Sequence, residues 1–355
     1  MSKNFWQDLT RPIMALAPMA NVTDAAFRFM IAKYGRPDVM FTEFVSADGL
    51  CSDGKEKLLV DFWYGENERP IVAQIFGANP ENIFKAGQLI KDLKFDGLDI
   101  NMGCPDRAVL KQGAGGALIK NPKLAQELIQ AAKEGSGLPV SVKTRIGVSK
   151  PMLEEWFGFL AKQELAAIIV HLRTVKELSL VPAHWELMLK IIEIFKPEHK
   201  PLRAISEKSR NLTPRSLTSF EMDATERPLI LANGDVATLE EAEKKCQETG
   251  ADGVMIGRGI FGNPWMFNRD LPIEKVPIAK RLEAMIEHTK LFEEKFVHLP
   301  IGGKRFEVMK KHYKAYVNGF DGAKELRMKL MDCETAAEVG QLVNEFMKVT
   351  AETSS

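Results

Sequence analysis

The sequence of 355 residues lacks any apolar run that approaches the roughly 20 uncharged residues of a membrane-spanning helix. Its first ten residues also lack the basic segment followed by an apolar segment that marks a secretory signal. We therefore expect a cytoplasmic protein with no membrane segment. Hydrophobic residues make up 45% of the chain, which is enough to bury the core of one large domain and a smaller companion.

Cysteine is scarce, and its spacing argues against the usual zinc and disulfide patterns. The four cysteines, Cys51, Cys104, Cys246 and Cys333, lie far apart and form no Cys-x-x-Cys pair. Structural zinc sites and disulfide-stapled domains both need cysteines in closely spaced sets. We therefore expect no bound metal, and each cysteine is interpreted from its own surroundings.

The chain has no excess of charge of either sign. Its 48 lysines and arginines balance 48 aspartates and glutamates, so the formal net charge at pH 7 is +0. Proteins that hold nucleic acid through overall charge carry a marked basic excess. Any binding to RNA must therefore depend on local clusters of basic residues.

Short apolar and β-branched runs alternate with longer helical patterns almost as far as Phe267, which predicts an α/β protein. About eight β-then-α units favour a (β/α)8 TIM barrel. The doubly wound sheet is the main alternative, but it needs a glycine-rich fingerprint after its first strand, where this chain has Ala17-Pro18-Met19-Ala20. The predicted barrel strands cover residues 13–17, 39–44, 71–76, 98–101, 140–143, 167–171, 229–233 and 253–256.

After Pro272 the pattern becomes wholly helical. We expect a barrel domain of residues 1–270, followed by a smaller all-helical domain of residues 275–350. Residues 196–228 are rich in Lys, Arg, Ser, Thr and Pro and separate a helix from the next strand, so we interpret them as an insertion. The predicted C-terminal helices cover residues 278–296, 306–318, 323–330 and 336–349.

Polar residues stand at the ends of most predicted strands, where a barrel of this kind builds its reaction face. A single glutamine, asparagine or histidine at such a place is equally well explained as a loop cap or a satisfied core residue. A lysine is harder to explain, because a buried ammonium needs an anionic partner or a solvated pocket. Together these residues predict a pocket. They are Gln74, Asn101, Lys143, His171 and Asn233.

Two glycine-containing segments follow the last two predicted strands. Asn233-Gly234-Asp235 comes after the seventh strand, and Gly257-Arg258-Gly259 comes after the eighth. Either segment alone is explained by glycines that permit a tight turn. Their pairing at this place, with free backbone N–H groups and one arginine, favours a phosphate site, because barrels often bind phosphate there.

Cys104 lies directly after the fourth predicted strand, on a loop that continues into the glycine-rich run at residues 113–116. A thiol on such a loop is placed to swing over a pocket. No motif pairs it with a histidine base, so a neutral thiol that donates a proton is favoured over a thiolate nucleophile. A proton donor beside a pocket with a phosphate end and a cation, Lys143, suits reduction of a carbon–carbon double bond by a flavin.

The motifs, taken in order, resemble those of the dihydrouridine synthases, and the resemblance covers nearly the whole chain. Each motif is weak alone, but their order and spacing are specific. The segments that carry the resemblance are residues 17–24, 27–28, 42–43, 74–77, 99–105, 116–117, 142–145, 171–174, 232–235, 257–259 and 262–265.

The resemblance implies an enzyme that uses NADPH and FMN to reduce uridines in tRNA. It implies hydride transfer to C6 of a flipped-out uracil, with Cys104 protonating C5, Asn101 holding the uracil edge and Arg145 binding substrate. The implied neighbours of the flavin ring system are Pro18, Met19, Ala20, Gln74 and Lys143. The implied neighbours of its phosphate are His171, Asn233, Gly234, Asp235, Gly257 and Arg258.

The C-terminal segment resembles the helical tRNA-binding domain of the same family. A lysine-rich helix by itself is usually a solvated face, but the resemblance favours tRNA contacts by Lys310, Lys311 and Lys314, which would reconcile RNA binding with zero net charge. We expect a monomer. Two other interpretations stay open here: a flavin oxidoreductase of a free pyrimidine, similar to dihydroorotate dehydrogenase, and an RNA-binding protein that has lost catalysis.

Overall fold

The computed structural model describes residues 4–196 and 227–353. Eight strands lie at the predicted places, and several extend one or two residues beyond the predicted bounds. The strands are β1 (Ile13–Leu16), β2 (Met40–Ser46), β3 (Ile71–Phe76), β4 (Gly97–Met102), β5 (Val140–Arg145), β6 (Ala167–His171), β7 (Leu229–Asn233) and β8 (Gly253–Ile256).

The strands form one parallel sheet in the order β1-β8-β7-β6-β5-β4-β3-β2. The ends of this order meet, because Ala15 pairs with Val39 just before β2, and the Leu16 N–H donates to the Val39 carbonyl oxygen at 3.0 Å. Beside this seam the Met14 N–H donates to the Asp38 carboxylate at 2.7 Å. A curled eight-stranded parallel sheet with helices around it is consistent with the predicted (β/α)8 barrel.

Helices connect the strands and continue beyond the last one. Those of the barrel region are α1 (Ala25–Tyr34), α2 (Ala47–Leu50), α3 (Lys55–Leu58), α4 (Pro80–Asp92), α5 (Arg107–Lys111), α6 (Pro122–Ser136), α7 (Gly158–Leu160), α8 (Met188–Ile194) and α9 (Leu239–Thr249). Those of the C-terminal region are α10 (Ile278–Phe292), α11 (Lys310–Tyr316), α12 (Ala323–Leu330) and α13 (Ala336–Thr353).

Side chains alternate along each strand between the barrel interior and the surrounding helices, and the interior changes character along its length. Toward the amino-terminal ends of the strands it is filled by one apolar cluster that includes Ile13, Val72, Ala167 and Leu229. Nearer the carboxyl ends, the same alternation brings polar side chains inward. These are Gln74, Asp99, Asn101, Ser141, Lys143, His171 and Asn233.

The C-terminal helices share their core with the barrel region. Their buried cluster contains Leu282, Tyr313 and Val339, but also Ala25 and Ala26 of α1. Two predicted helices are shorter than expected. The first ends as α10 and continues as a π-helical turn at Glu293–Val297, and the second begins as a 3-10 turn at Phe306–Met309 and ends with α11. The division into two domains at residues 270–275 stays a prediction.

The predicted insertion at residues 196–228 lies almost entirely outside the described residues. None of the helices in residues 4–196 and 227–353 has the length and hydrophobicity that a membrane span requires.

Candidate active site

A cavity of about 580 Å³ opens at the carboxyl ends of the strands. Its volume lies within the roughly 300–1,000 Å³ range of small-molecule sites. Two predicted cofactor residues do not line it, because Gln74 is fully buried in β3 and Ala20 is exposed on the loop after β1. The predicted cofactor residues that line it are Pro18, Met19, Lys143, His171, Asn233, Gly234, Asp235, Gly257 and Arg258.

Two arginines meet one carboxylate at one end of the cavity. Asp235 accepts hydrogen bonds from Arg173 and, at 2.9 Å, from Arg258 Nη2. The hydrogen bond from Arg173 is the main cause of the lowered pKa of Asp235. The Arg173 side chain is 3% exposed, whereas that of Arg258 is 62% exposed. Two guanidinium groups beside one carboxylate leave a positive charge, which suits an anionic ligand.

His171 is an uncharged neighbour of these arginines. Burial first, and then the positive charges of Lys143 and Arg145, lower the pKa of His171 far below its ordinary value. Its Nε2 lies 3.1 Å from Arg173 Nη1. Because a guanidinium can only donate, Nε2 accepts this hydrogen bond and Nδ1 carries the proton. The ring is therefore neutral at pH 7, with one donor.

Lys143 is fixed at the inner wall of the barrel near the end of β5. Its Nζ donates to Asn233 Oδ1 at 3.3 Å, and the Asn233 amide donates to the Met255 carbonyl oxygen at 2.8 Å. Burial, followed by repulsion from Arg145, lowers the pKa of Lys143 to about 8. The ammonium is still charged at pH 7 although its burial is costly. An anionic or electron-rich ligand in the cavity would stabilise it.

A buried hydrogen-bonded network links three strands beside Lys143. Asp99 accepts hydrogen bonds from Gln74 Nε2 at 2.7 Å and from Ser141 Oγ at 2.6 Å. Gln74 Oε1 in turn accepts from Asn101 Nδ2 at 3.0 Å. Burial raises the pKa of Asp99 to about 6. The network therefore fixes the orientation of the Asn101 amide.

Asn101 holds the loop that carries Cys104. Its Oδ1 accepts hydrogen bonds from the N–H groups of Gly103 at 3.1 Å and Cys104 at 2.9 Å. The Cys104 carbonyl oxygen accepts from the Gly116 N–H at 3.0 Å, and a Cβ on Gly115 would approach the same oxygen to 3.0 Å. The glycine-rich run at residues 113–116 thus permits close packing against the cysteine loop.

The Cys104 thiol is partly buried and uncharged. Burial is the main cause that raises the pKa of this thiol above its ordinary value. A group that keeps its proton at neutral pH is suited to donate it, whereas a nucleophilic cysteine needs a lowered pKa. Cys246 is buried in α9, Cys333 is buried after α12, and Cys51 is exposed.

Arg145 ties the cysteine loop to the loop that follows β6. Its Nε donates to the Gly103 carbonyl oxygen at 2.9 Å, and its Nη1 donates to the carbonyl oxygens of Thr174 at 2.9 Å and Leu178 at 2.7 Å. Burial first, and then repulsion from Arg173, lowers the pKa of Arg145 to about 10. In this structure its donors hold two loops, and its role in substrate binding stays a prediction.

The three lysines predicted to contact tRNA differ in their surroundings. Lys314 is exposed on α11, and Lys310 is half-buried at the start of that helix. Lys311 instead donates a hydrogen bond to the carbonyl oxygen of Asn21, on the loop after β1. The structure therefore brings one of the three against the loop after β1, whose residues Pro18 and Met19 line the cavity.

Sequence reasoning missed Arg173 as a cavity residue. The alternation of side chains along β6 could have identified it. Ile169 and His171 face inward, and the next residue in that alternation is Arg173. Ser179 and Met255 also line the cavity without having been singled out. Among the described residues, no group of three or more His, Cys, Asp or Glu side chains is arranged to hold a metal ion.

The family model described as dihydrouridine synthase matches residues 15–196 and 224–352. This chain belongs to the dihydrouridine synthase family. The resemblance inferred from the sequence is confirmed. Membership of this family supports a dihydrouridine synthase, which is an oxidoreductase, and does not support an enzyme similar to dihydroorotate dehydrogenase. The residues between the two matched segments, 197–223, fall within the stretch predicted as an insertion.

Similar proteins align over almost their entire length. A probable tRNA-dihydrouridine synthase 2 of Bacillus subtilis is 39% identical over 349 residues, which cover 98% of this chain and 97% of the relative. Probable tRNA-dihydrouridine synthases of Staphylococcus aureus and Staphylococcus epidermidis are each 37% identical, covering 98% of this chain and 96% and 97% of the relatives.

Proposed function

We propose that this chain is a tRNA-dihydrouridine synthase that binds FMN and uses NADPH to reduce the C5–C6 double bond of particular tRNA uridines. The observation that carries the proposal is the cavity at the strand ends, where the half-buried Lys143 lies at the inner wall and two arginines lie at one end. The names of the relatives supply tRNA as the substrate class.

The cavity residues fit the phosphate end of FMN. Arg173 and Arg258 would pair with the phosphate, and the proton on His171 Nδ1 would supply a neutral donor. A Cβ at Gly257 would lie 3.6 Å from the Ala17 Cβ and 3.8 Å from the Met19 sulfur, among residues that line the cavity. The absence of a side chain at Gly257 therefore keeps that part of the cavity open.

Bound FMN would supply, after reduction by NADPH, the hydride that C6 of uracil receives. Lys143 would place its positive charge beside the flavin ring system and favour added negative charge there. The Cys104 thiol would give its proton to C5, so that the uracil gains one hydride and one proton. Asn101 uses one amide hydrogen on Gln74, which leaves its second amide hydrogen for a uracil carbonyl oxygen.

A uridine must leave its stack to reach a site at the carboxyl ends of the strands. That step costs a few kcal/mol and is easiest where the RNA is bent or unpaired, so we expect a loop uridine as target. We also propose that residues 1–270 form the FMN-binding catalytic unit of a monomer and that residues 275–350, through Lys310 and Lys314, contact tRNA phosphates.

Two measurements test the proposal. The purified protein should show the absorbance spectrum of a bound flavin that is released on denaturation. tRNA from cells that lack the protein should lose dihydrouridine at one or more positions, and the purified protein with NADPH should restore it. A colourless protein that takes up no added FMN would contradict the cofactor assignment, and an unchanged tRNA dihydrouridine content would contradict the substrate assignment.

A further inference from the structure

A buried ion cluster joins the C-terminal region to the second strand of the barrel. Lys304 precedes α11, its side chain is 10% exposed, and its ammonium pairs with Glu43 of β2 and, at 2.8 Å, with Asp61. The ammonium also lies 5.2 Å from the centroid of the Phe296 ring. A cation of the C-terminal region is therefore fixed against the middle of β2.

The same cluster fixes the backbone of Asn21, on the loop after β1. The Asn21 N–H donates to the Glu43 carboxylate, and the Asn21 carbonyl oxygen accepts from the Lys311 ammonium. Asn21 has a φ of 55°, in the left-handed region that most residues other than glycine and asparagine avoid. Here both of its backbone polar groups are bound by charged side chains.

This loop also carries part of the cavity wall. Pro18 and Met19 line the cavity, and the Met19 N–H donates to Thr23 Oγ1 at 2.8 Å within the same turn. A change in the backbone at Asn21 would therefore move the wall that β1 contributes. The contacts run from Lys304 to Glu43, from Glu43 to Asn21, and along the chain to Met19.

We infer that Lys304 is a positioning residue for the flavin site, which holds the loop of residues 18–24 in place through Glu43 while Lys311 supports it from the carbonyl side. The inference rests on the proposed function, because it takes the cavity to be a flavin site. Lys311 then stabilises the loop through its hydrogen bond to Asn21, which takes the place of its predicted contact with a tRNA phosphate.

The energetics of buried ion pairs favour a positioning role over simple stabilisation. Desolvation offsets much of the attraction between buried charges, so such a pair adds little stability compared with apolar groups of similar size. Its charge does matter to Asn21. Burial raises the pKa of Glu43 to about 7 even though Lys304 acts to lower it. Loss of Lys304 would raise this pKa further and favour the neutral carboxyl, which accepts a weaker hydrogen bond.

The test compares Lys304→Met and Lys304→Arg with Leu330→Ala. Leu330 is fully buried in α12, within the C-terminal cluster, so its truncation destabilises that region without touching the loop. Hydrogen exchange of residues 19–24 is measured in flavin-free protein. Lys304→Met should accelerate it about tenfold, because local opening follows the free energy of the contacts that keep the loop closed. Lys304→Arg should restore slow exchange, and Leu330→Ala should leave it unchanged.

FMN affinity provides the second measurement. Lys304→Met should weaken FMN binding about fivefold, and Lys304→Arg should bind FMN like the wild type. If Lys304→Met does not fold, Lys311→Met removes the contact on the carbonyl side and should change both measurements in the same direction.

Equal exchange and equal FMN affinity in the Lys304 and Lys311 variants and the wild type would overturn the inference and leave the flavin proposal intact. The same changes in Leu330→Ala as in Lys304→Met would also overturn it, since they would show a purely structural effect. A wild-type protein that binds no FMN would overturn the proposed function, and the exchange experiment would then still report whether Lys304 holds the loop.

Discussion

The barrel interior and the C-terminal helical region both bury polar side chains, but these side chains differ in whether they have hydrogen-bond partners. In the barrel, Asp99 is hydrogen-bonded to Gln74 and Ser141 at 2.6 to 2.7 Å. In the helical region, His288 and His312 are fully buried with their ring centroids 4.8 Å apart, and neither has a hydrogen-bond partner among the described residues. A satisfied network holds one geometry, whereas unpaired buried donors and acceptors lower stability.

We therefore expect variants in the two regions to change different properties of the protein. Variants at the strand ends should change binding or rate with little change in the free energy of unfolding. Variants at the two histidines should change the free energy of unfolding with little change in rate. The following variants test this expectation, from the largest effect to the smallest.

The largest effect is expected for Cys104→Ala. Positioned general acids contribute about 100-fold to 10,000-fold, so the single-turnover rate of dihydrouridine formation on tRNA should fall by that factor. Bound FMN and its reduction by NADPH should stay near the wild-type values, because that step needs no acid from Cys104. Cys51→Ala, at an exposed cysteine, is the matched control. A wild-type single-turnover rate in Cys104→Ala would contradict the proposed role of Cys104 as proton donor.

The next largest effect is expected at the two arginines around Asp235. Arg173→Ala should weaken FMN binding by about 1.5–3 kcal/mol, the contribution of a hydrogen bond to a charged group in a buried site. Arg258→Ala should weaken it less, because solvent screens an exposed side chain. Titration of apoprotein with FMN measures both affinities, and thermal unfolding serves as control. A larger loss in Arg258→Ala than in Arg173→Ala would show that burial is a poor guide to the phosphate contact.

A smaller effect, on stability, is expected from His288 and His312 as the pH falls. Burial lowers the pKa of His288 to about 3 and lowers the pKa of His312 well below its ordinary value. Below about pH 6.5 the unfolded chain therefore binds protons that the folded chain does not. Each histidine should then lower the free energy of unfolding by up to about 1.4 kcal/mol per pH unit, with no effect above pH 6.5.

Two carboxyl groups act in the opposite direction over part of this range. Burial raises the pKa of Glu43 to about 7 and that of Asp99 to about 6, so their protonation favours the folded state as the pH falls. The measurement is therefore the difference between the wild type and His312→Leu in urea unfolding between pH 5 and pH 8. The variant should lose stability less steeply toward pH 5. Parallel pH profiles would show that the pKa of His312 is the same in the folded and the unfolded chain.

The smallest effect is expected from the surface lysines. Replacing Lys310 and Lys314 by alanine should reduce the salt dependence of tRNA binding by up to about one slope unit for each phosphate that the variant no longer neutralises. Lys329→Ala, at an exposed lysine on α12, is the control. NADPH oxidation in the absence of tRNA should not change. An unaltered salt slope would assign α11 to packing alone.

The barrel and much of its cavity were predictable from the sequence, because both depend on patterns between residues that are close together in the chain. Strand periodicity located all eight strands, and the rule that reaction groups stand at strand ends brought Lys143, His171 and Asn233 to one cavity. Arg173 was missed because the prediction stopped at the last residue of β6, although the alternation continues by one step into the loop.

The contacts around Asn21 were not predictable, for a different physical reason. Lys304 and Glu43 are 261 positions apart, and Lys311 and Asn21 are 290 positions apart. No periodicity or turn signal relates such distant residues, since their contact depends on how the C-terminal helices pack on α1. The lysine cluster on α11 was predicted to contact tRNA, whereas Lys311 of that cluster binds Asn21 of the same chain.

The seam between β1 and β2 has a consequence for the protein during its synthesis. β1 pairs along its length with β8, while on the other side it is held by the Ala15–Val39 pair and by the carboxylate of Asp38. Its main partner leaves the ribosome roughly 240 residues later, a delay of about 10 to 50 seconds at the usual rate of ~5–20 residues per second. Until then the edge of β1 that pairs with β8 in the folded chain has no strand to pair with, so we expect nascent chains of this protein to depend on chaperones more than the folded protein does.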